Sequence, residues 1–389
     1  MIYNDLAGYY NVNGKIFYDK LEAIIFANKT KSEIEWNYYN DIFYSIDWNI
    51  EPETSLREFY KIRAQQLREK YDYLIAFVSG GADSSQVVDS FVKNKIKLDE
   101  VYAGIPSSGL KGFKPSYDTA ATNHISETFY AQLPVLEKIH SQNPEIRITV
   151  NDYFDEILNY KEDEWLFNSS DWLHPTALAR YSLEKFDHIK KLVDQGKKVA
   201  AIYGANKPQV FVSNNMIISS IDDLGMNVAK PAFKSLEISL EPFYTTPDLP
   251  LLVVKQSHEV IKNALKPENE KLLKILKYKA TLGHIMTERS LDGKLWNNAT
   301  YGRAITHIIY PDLDYNYWQS DKPNTMILGD HDAWFYQLHK DTKAYKMIIS
   351  DVSNFVKSID YKYFKDLSKS AFKGYSINFP LGNIYTYKK

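Results

Sequence analysis

A short segment rich in glycine and serine follows an apolar run in the first quarter of the chain. The run is Leu74–Val78, and the segment after it reads Ser79-Gly80-Gly81-Ala82-Asp83-Ser84-Ser85. An apolar run of this length predicts a buried parallel strand, and the residues after the segment predict a helix. Paired glycines let backbone N–H groups approach an anion, while serine hydroxyls and a helix N-terminus add donors and positive potential. The segment therefore predicts a phosphate site.

We expect the carboxylate of Asp83 to lie at the edge of this predicted phosphate site. A carboxylate beside a phosphate is favourable when Mg²⁺ lies between them, so we expect Asp83 to be a metal ligand. The segment has neither the Gly-Lys-Ser/Thr ending of a Walker A loop nor the G-x-G-x-x-G pattern of dinucleotide-binding loops. A plain strand–turn–helix bend is the simpler alternative. The combination of glycines, hydroxyls and an acid in one turn favours phosphate binding.

On this motif, SGGxDS, the chain resembles the PP-loop ATP pyrophosphatases. The double serine and the long helix predicted before the motif look most like the synthetase domain of asparagine synthetase-like amide ligases. The resemblance is firm over about Ser55–Gly104, weaker to Pro208 and absent beyond. It implies ATP and Mg²⁺ as cofactors, with the pyrophosphate of ATP held by Ser79, Gly80, Gly81, Ala82, Asp83, Ser84 and Ser85.

Strands alternate with helices after the motif, and the further predicted strands are Leu98–Gly104, Ile146–Asn151 and Val199–Tyr203. This alternation predicts an α/β fold with a doubly wound parallel sheet, and the resemblance implies the HUP/PP-loop type of that fold. Ligands of such sheets bind at the carboxyl ends of the strands. Gly104 ends the second strand at the same edge as the phosphate turn. The resemblance implies that this region contacts adenine and ribose.

A second glycine and a cation, Gly204 and Lys207, follow the fourth predicted strand. In asparagine synthetase-like enzymes the corresponding loop is acidic and glycine-rich, and it holds the pyrophosphate and its metal. This chain departs from that pattern, because Asn206 stands where an aspartate would bind Mg²⁺ and Lys207 supplies the charge. The position of this loop after the fourth strand predicts that Gly204 binds the nucleotide and that Lys207 acts on the pyrophosphate, with Asp83, in catalysis. A solvated turn lysine is the alternative.

The flanking residues predict two further domains around a PP-loop domain at 54–230. Residues 1–53 predict a small α+β cap, with a hairpin turning at Asn13-Gly14 and a helix at Lys20–Asn28. A capping box at Ser55 predicts a helix running to about Lys70. Residues 231–389 predict a mostly helical domain, with helices at 251–264 and 267–281. Its content of Tyr, Trp, Asp and His suits an acceptor pocket.

Composition limits the chemistry that the chain can perform. The 389 residues include no cysteine, which excludes disulfides, thiolate zinc sites and cysteine nucleophiles. PP-loop enzymes that thiolate tRNA through a persulfide and glutaminases with an N-terminal cysteine are excluded for the same reason. The net charge of −2 argues mildly against nucleic acid as the main ligand. Without a signal-peptide pattern or an apolar run long enough to span a membrane, we expect a cytoplasmic protein.

Together these features predict an ATP-dependent, AMP-forming ligase. It would adenylate a carboxylate or similar oxygen, release pyrophosphate and transfer the activated group to an amine or ammonia. We expect its partners to be a small-molecule acceptor and an amine donor, with the nitrogen free or supplied by a partner. Two alternatives stay open: a nucleic-acid base modifier of the lysidine synthetase type, and a nucleotide-binding protein without catalytic activity.

Overall fold

Three antiparallel strands open the described part of the structure. The computed structural model describes residues 8–110, 128–158, 182–204, 207–213, 216–223, 237–282, 288–289, 295–296, 298–314, 343–358 and 382–387. The opening strands are β1 (Tyr9–Val12), β2 (Lys15–Phe17) and β3 (Glu35–Asn37), in the order β2-β1-β3. Asn13 and Gly14 have φ values of 52° and 82°, and a two-residue type I′ turn requires positive φ at both positions. The predicted hairpin is therefore confirmed.

Two helices complete the N-terminal unit, and a capped helix connects it to the central sheet. They are α1 (Lys20–Thr30), α2 (Asn40–Ser45) and α3 (Leu56–Lys70). The Ser55 hydroxyl accepts a hydrogen bond from the Glu58 N–H at 3.2 Å, which confirms the predicted start of α3. The buried face of α3 carries apolar residues and also Arg63, whose burial the sequence did not predict.

The elements that follow alternate between strands and helices, as the sequence predicts. They are β4 (Tyr73–Phe77), α4 (Ala82–Val92), β5 (Glu100–Gly104), a π-helical turn at Thr128–Gln132, α5 (Leu133–Gln142), β6 (Arg147–Asn151), α6 (Phe154–Leu158), α7 (Asp187–Asp194) and β7 (Val199–Tyr203). Helix α4 begins at Ala82, inside the motif rather than after it, so Asp83 lies in the first turn of the helix and not in the loop before it.

The central sheet has five parallel strands. After a hairpin of β8 (Gln209–Ser213) and β9 (Met216–Asp222), the chain forms β10 (Ile238–Pro242), which pairs with β7. The sheet order is β10-β7-β4-β5-β6, so the direction of winding reverses between β4 and β7. Every residue of β5 and β7 is buried, as expected where a parallel sheet is covered on both faces. The predicted α/β class is confirmed, and the fold is Rossmann-like.

The remaining elements are mainly helical. They are α8 (Pro250–Ala264), α9 (Glu270–Leu282), β11 (Glu288–Arg289), β12 (Leu295–Trp296), α10 (Asn298–Ile309), α11 (Lys343–Ser358) and β13 (Gly382–Tyr387). The predicted helices at 251–264 and 267–281 are confirmed. Strand β13 pairs with β9 in an antiparallel sheet of order β13-β9-β8, which the sequence did not predict. The division into three domains stays a prediction. Across the described residues, no helix is both long and apolar enough to cross a bilayer.

Buried polar contacts join the N-terminal unit to the rest of the structure. Lys20 Nζ lies 2.8 Å from Asp223 Oδ2, with both side chains at most 1% exposed. The Tyr38 hydroxyl donates to the Thr245 carbonyl at 2.7 Å, in the segment that follows β10. Because burying a charge is costly unless it is paired, these contacts specify how the N-terminal unit sits on the sheet.

Candidate functional site

The turn after β4 is closely packed around Gly80. This residue has a φ of 76°, which L side chains rarely adopt. A Cβ at this position would lie 2.3 Å from the Ala131 carbonyl carbon and 2.4 Å from the Gln132 nitrogen. The Gln132 side chain also donates to the Val78 carbonyl at 2.9 Å. Gly80 is therefore required for packing against the π-helical turn, in addition to any role in binding an anion.

The serine hydroxyls of the motif gather around the first turn of α4. Ser84 Oγ donates to the Gly81 carbonyl at 3.1 Å and lies 3.4 Å from Ser79 Oγ. Gly81 is the N-cap residue, so the helix N-terminus carries no capping side chain there. Ser85 Oγ is buried and makes no hydrogen bond within the described residues. Hydroxyl donors and an uncapped helix N-terminus are the groups that bind a phosphate.

The structure brings Asp83 and Lys207 together as a bidentate ion pair. Lys207 Nζ lies 2.8 Å from Asp83 Oδ1 and 2.9 Å from Oδ2. The side chains are 20% exposed for Lys207 and 36% exposed for Asp83. Both residues were predicted from the sequence as site residues at the carboxyl edge of the sheet. Their direct contact joins the turn after β4 to the loop after β7.

Gly204 allows these two loops to approach each other. A Cβ on Gly204 would lie 2.9 Å from the Asp83 carbonyl oxygen and 3.1 Å from Val87 Cγ2. A larger residue would push the loop after β7 away from the first turn of α4. The glycine thus determines the distance across which Lys207 reaches Asp83. Asn206, where the sequence departs from the asparagine synthetase-like pattern, lies outside the described residues.

Gly104 occupies the predicted edge of the sheet but not the ion-paired cluster. It is buried at the end of β5 and pairs with Asn151 of β6. Its proposed contact with adenine or ribose stays a prediction. Most of the region at 282–340, whose composition predicts the acceptor pocket, lies outside the described residues.

Two tyrosines at the site were not predicted from the sequence. The Tyr244 hydroxyl donates to the Asp83 backbone carbonyl at 2.5 Å, and the Tyr310 hydroxyl donates to Asp83 Oδ1 at 2.8 Å. Their ring centroids lie 5.4 Å apart. Burial, and then the nearby negative charge of Asp83, raise the pKa of Tyr310 well above its ordinary value, so its hydroxyl stays a proton donor. Both tyrosines lie far from the motif in sequence, so no local pattern points to them.

The donor set fits a phosphate with an associated divalent cation. Mg²⁺ commonly takes one or two protein carboxylates and completes its shell with phosphate oxygens and water. Asp83 supplies such a carboxylate, in the first turn of the helix where the hydroxyls of Ser79 and Ser84 also meet. Within the described part of the chain, no group of three or more His, Cys, Asp and Glu side chains could hold a metal alone. The site therefore suits a cation that arrives with phosphate.

A scan of the chain against models of protein families found no match, and a search of curated proteins found none either. Function is therefore inferred from the residues of the site and their geometry.

Proposed function

We propose that the chain is an ATP-dependent, AMP-forming ligase of the PP-loop ATP pyrophosphatase type. It adenylates a carboxylate or similar oxygen, releases pyrophosphate and transfers the activated group to an amine or ammonia, as asparagine synthetase-like ligases do, but without a glutaminase. The observation that carries the proposal is the contact between Asp83 of the motif and Lys207. This contact lies where the winding of the sheet reverses, which is where ligands bind to open α/β sheets.

Electrostatics supports the assignment of the pyrophosphate to this turn. The leaving pyrophosphate carries several negative charges, and stabilising the charge that develops on it lowers the barrier to its departure. The helix N-terminus, the hydroxyls of Ser79 and Ser84 and the ammonium of Lys207 all lie at one edge of the sheet. In the proposal, Ser85 Oγ adds a further donor, because it is buried without a partner in the described residues.

The exposure of the ion pair supports an exchange of partners. Asp83 is 36% exposed, so one of its oxygens can leave Lys207 without the cost of stripping a deeply buried carboxylate of its partner. Asp83 would hold the Mg²⁺ that accompanies ATP, and this cation supplies charge neutralisation on the phosphates. Lys207, released from part of its pairing with Asp83, then turns its ammonium towards the pyrophosphate.

The proposed reaction has two displacement steps. An acceptor oxygen bonds to the α-phosphorus of ATP while the bond from that phosphorus to the bridging oxygen breaks, and pyrophosphate leaves with the electron pair. The amine nitrogen then attacks the activated carbon, the bond from that carbon to the AMP oxygen breaks, and the nitrogen loses a proton. The protein contributes binding, orientation and charge stabilisation, so the lack of cysteine is no obstacle.

The test of this proposal is the product formed from ATP. Protein incubated with Mg²⁺, α-labelled ATP, candidate carboxylic acids and ammonia or amines is expected to release labelled AMP. Labelled ADP in place of AMP would contradict the proposed bond cleavage. A parallel incubation with RNA asks whether the acceptor is a nucleic-acid base. AMP formed only with RNA would favour the lysidine synthetase-like alternative, and nucleotide binding without turnover would favour a non-catalytic protein.

Two variants on helix α4 test whether AMP release depends on the motif. Asp83→Ala is expected to stay folded and to abolish AMP release, because it removes both the predicted cation ligand and the partner of Lys207. Asp89→Ala is the matched control, since it lies on the same helix and pairs with Lys93 at 3.5 Å instead. We expect Asp89→Ala to keep its activity. Unchanged AMP release by Asp83→Ala would contradict the assignment.

A further inference from the structure

A tyrosine from the C-terminal part of the chain contacts the carboxylate of the motif. The Tyr310 hydroxyl donates to Asp83 Oδ1 at 2.8 Å, between residues 227 positions apart in sequence. Tyr310 is 1% exposed, whereas the Asp83 side chain is 36% exposed. A fixed, buried donor therefore holds one oxygen of a carboxylate that could otherwise rotate towards solvent.

The two oxygens of this carboxylate are not equivalent. Oδ1 accepts hydrogen bonds from Tyr310 and from Lys207, whereas the hydrogen bond described for Oδ2 comes from Lys207 alone. Exchanging Lys207 for a ligand at Oδ2 leaves the bond from Tyr310 intact. The same exchange at Oδ1 would disturb two bonds. The contact pattern thus marks Oδ2 as the more exchangeable oxygen.

The position of Tyr310 is set by anchors on both sides of it. The Tyr60 hydroxyl donates to the Ile309 carbonyl at 2.5 Å, and Lys93 Nζ donates to the Asp312 carbonyl at 2.7 Å. Tyr60 belongs to α3, and Lys93 is the C-cap residue of α4. These anchors join the turn after α10 to α3 and α4, the helices that precede and follow β4 in the chain. They therefore fix Tyr310 in position beside Asp83.

We propose that Tyr310 is a positioning residue that keeps the Asp83 carboxylate in one orientation, with Oδ1 committed to the tyrosine and Oδ2 left to exchange Lys207 for the cation of the nucleotide. This inference rests on the proposed function and deepens it. With Tyr310 in this role, the nucleotide site is incomplete without the segment at 298–314. The C-terminal part of the chain then contributes to ATP binding. Tyr310 acts through Asp83 and takes no part in the bond-breaking steps.

The first experiment measures how Mg²⁺ supports binding of a non-hydrolysable ATP analogue to the full chain, by calorimetry. Tyr310→Phe keeps the ring and removes the hydroxyl, and we expect it to raise the Mg²⁺ concentration for half-maximal binding roughly tenfold, the scale of one hydrogen bond to a charged group. Tyr73→Phe is the matched control, because its hydroxyl also donates to a carboxylate oxygen, Glu100 Oε2 at 2.8 Å, but at the start of β4, away from the motif. The control is expected to keep the wild-type Mg²⁺ dependence.

A double-mutant cycle separates action through Asp83 from a general structural effect. In an Asp83→Ala background, Tyr310→Phe should cause no further loss of analogue binding. An equal loss in both backgrounds, or equal effects of Tyr310→Phe and Tyr73→Phe, would overturn the inference while the proposed function stands. A wild-type chain that neither binds the analogue with Mg²⁺ nor forms AMP would overturn both.

A milder variant covers the case in which Tyr310→Phe does not fold. Lys93 is 40% exposed and anchors the turn that carries Tyr310, so Lys93→Met loosens that turn from a solvent-accessible position. We expect a smaller increase in the Mg²⁺ requirement, in the same direction and about threefold. An unchanged Mg²⁺ requirement would contradict the positioning role.

Discussion

Two of the ion pairs that connect distant parts of this chain differ greatly in how far solvent reaches them. Arg63 NH2 lies 2.7 Å from Glu241 Oε2, and both side chains are fully buried. Lys207 and Asp83 are as close, at 2.8 Å, but are 20% and 36% exposed. A fully buried charge cannot change partners without a large desolvation cost, whereas a partly exposed one can. The first pair therefore suits a permanent connection between α3 and β10, and the second suits an exchangeable ligand site.

The surroundings of the two pairs follow the same division. Arg63 also donates to the Pro242 carbonyl at 2.9 Å, and Lys70 Nζ lies 3.0 Å from Glu241, so the buried pair belongs to a network. Around Asp83 lie glycines, serine hydroxyls and the N-terminus of α4. These groups contact one another and can also bind a ligand. Four changes to these and related groups are expected to lower the free energy of unfolding by decreasing amounts.

The largest effect is expected from Arg63→Met, which leaves Glu241 buried without its main partner. Removing one member of a buried pair costs roughly 3–5 kcal/mol of the free energy of unfolding. Urea-induced unfolding followed by circular dichroism measures this loss. A change below about 1 kcal/mol, the range of exposed pairs, would break the contrast between the two pairs.

The next effect is expected from Gly80→Ala, which tests whether the turn next to the Asp83–Lys207 pair is rigid. The φ of 76° and the contact of 2.3 Å with Ala131 predict a loss of roughly 2–4 kcal/mol from backbone strain and overpacking. Gly14→Ala is the matched control, with a φ of 82° and no heavy atom within 4 Å, so strain alone should cost it roughly 1–2 kcal/mol. If Gly80→Ala and Gly14→Ala lose equal stability in thermal unfolding, the residues around Gly80 accommodate an added Cβ at little cost.

A smaller effect is expected from protonating Glu51. Its side chain is 33% exposed, close to the 36% of Asp83, but two lysines pair with it. Burial alone would raise the pKa of Glu51, but hydrogen bonds from Lys255 and Lys262 outweigh it and lower the pKa to about 2. A lowered folded-state pKa gives stability that is present above the unfolded value of about 4.5 and is lost as the pH falls through about 2. We expect a loss of about 1 kcal/mol, because solvent screens the group.

Unfolding in urea at pH 6, 4 and 2 measures this dependence. Glu51→Gln cannot titrate and should lose less stability than the wild type over the same range, although other carboxylates contribute to both curves. Parallel curves for the two proteins would contradict the assignment of this part of the acid sensitivity to Glu51.

The smallest effect on unfolding is expected from Lys207→Met, the same type of substitution as Arg63→Met at the exposed pair. A pair exposed to this degree contributes about 0–1 kcal/mol. In the proposed function, the same variant loses most of its AMP release, because the ammonium that stabilises pyrophosphate is gone. Comparing unfolding and turnover in one preparation separates the two contributions. A loss of stability as large as that of Arg63→Met would show that both pairs are structural.

Local chemistry made several elements predictable. Asn13-Gly14 accepts the positive φ of a type I′ turn, Ser55 caps α3, and the apolar run before Ser79 forms β4, because each of these outcomes depends on residues that are close in sequence. Strand β10 was not predicted. Its residues, Ile238–Pro242, show no long apolar run, and its burial depends on pairing with β7.

Sequence alone determined the glycine- and serine-rich turn between a strand and a helix, the alternation of strands and helices around it, and the placement of Asp83 and Lys207 at one edge of a parallel sheet. These follow from short-range periodicity and from the geometry of such sheets. Only the tertiary structure decided that Lys207 bonds to Asp83, that Tyr310 and Tyr244 hold the same residue, and that Arg63 is buried against Glu241. Contacts between residues so far apart in sequence depend on how the whole chain packs, and no local pattern records them.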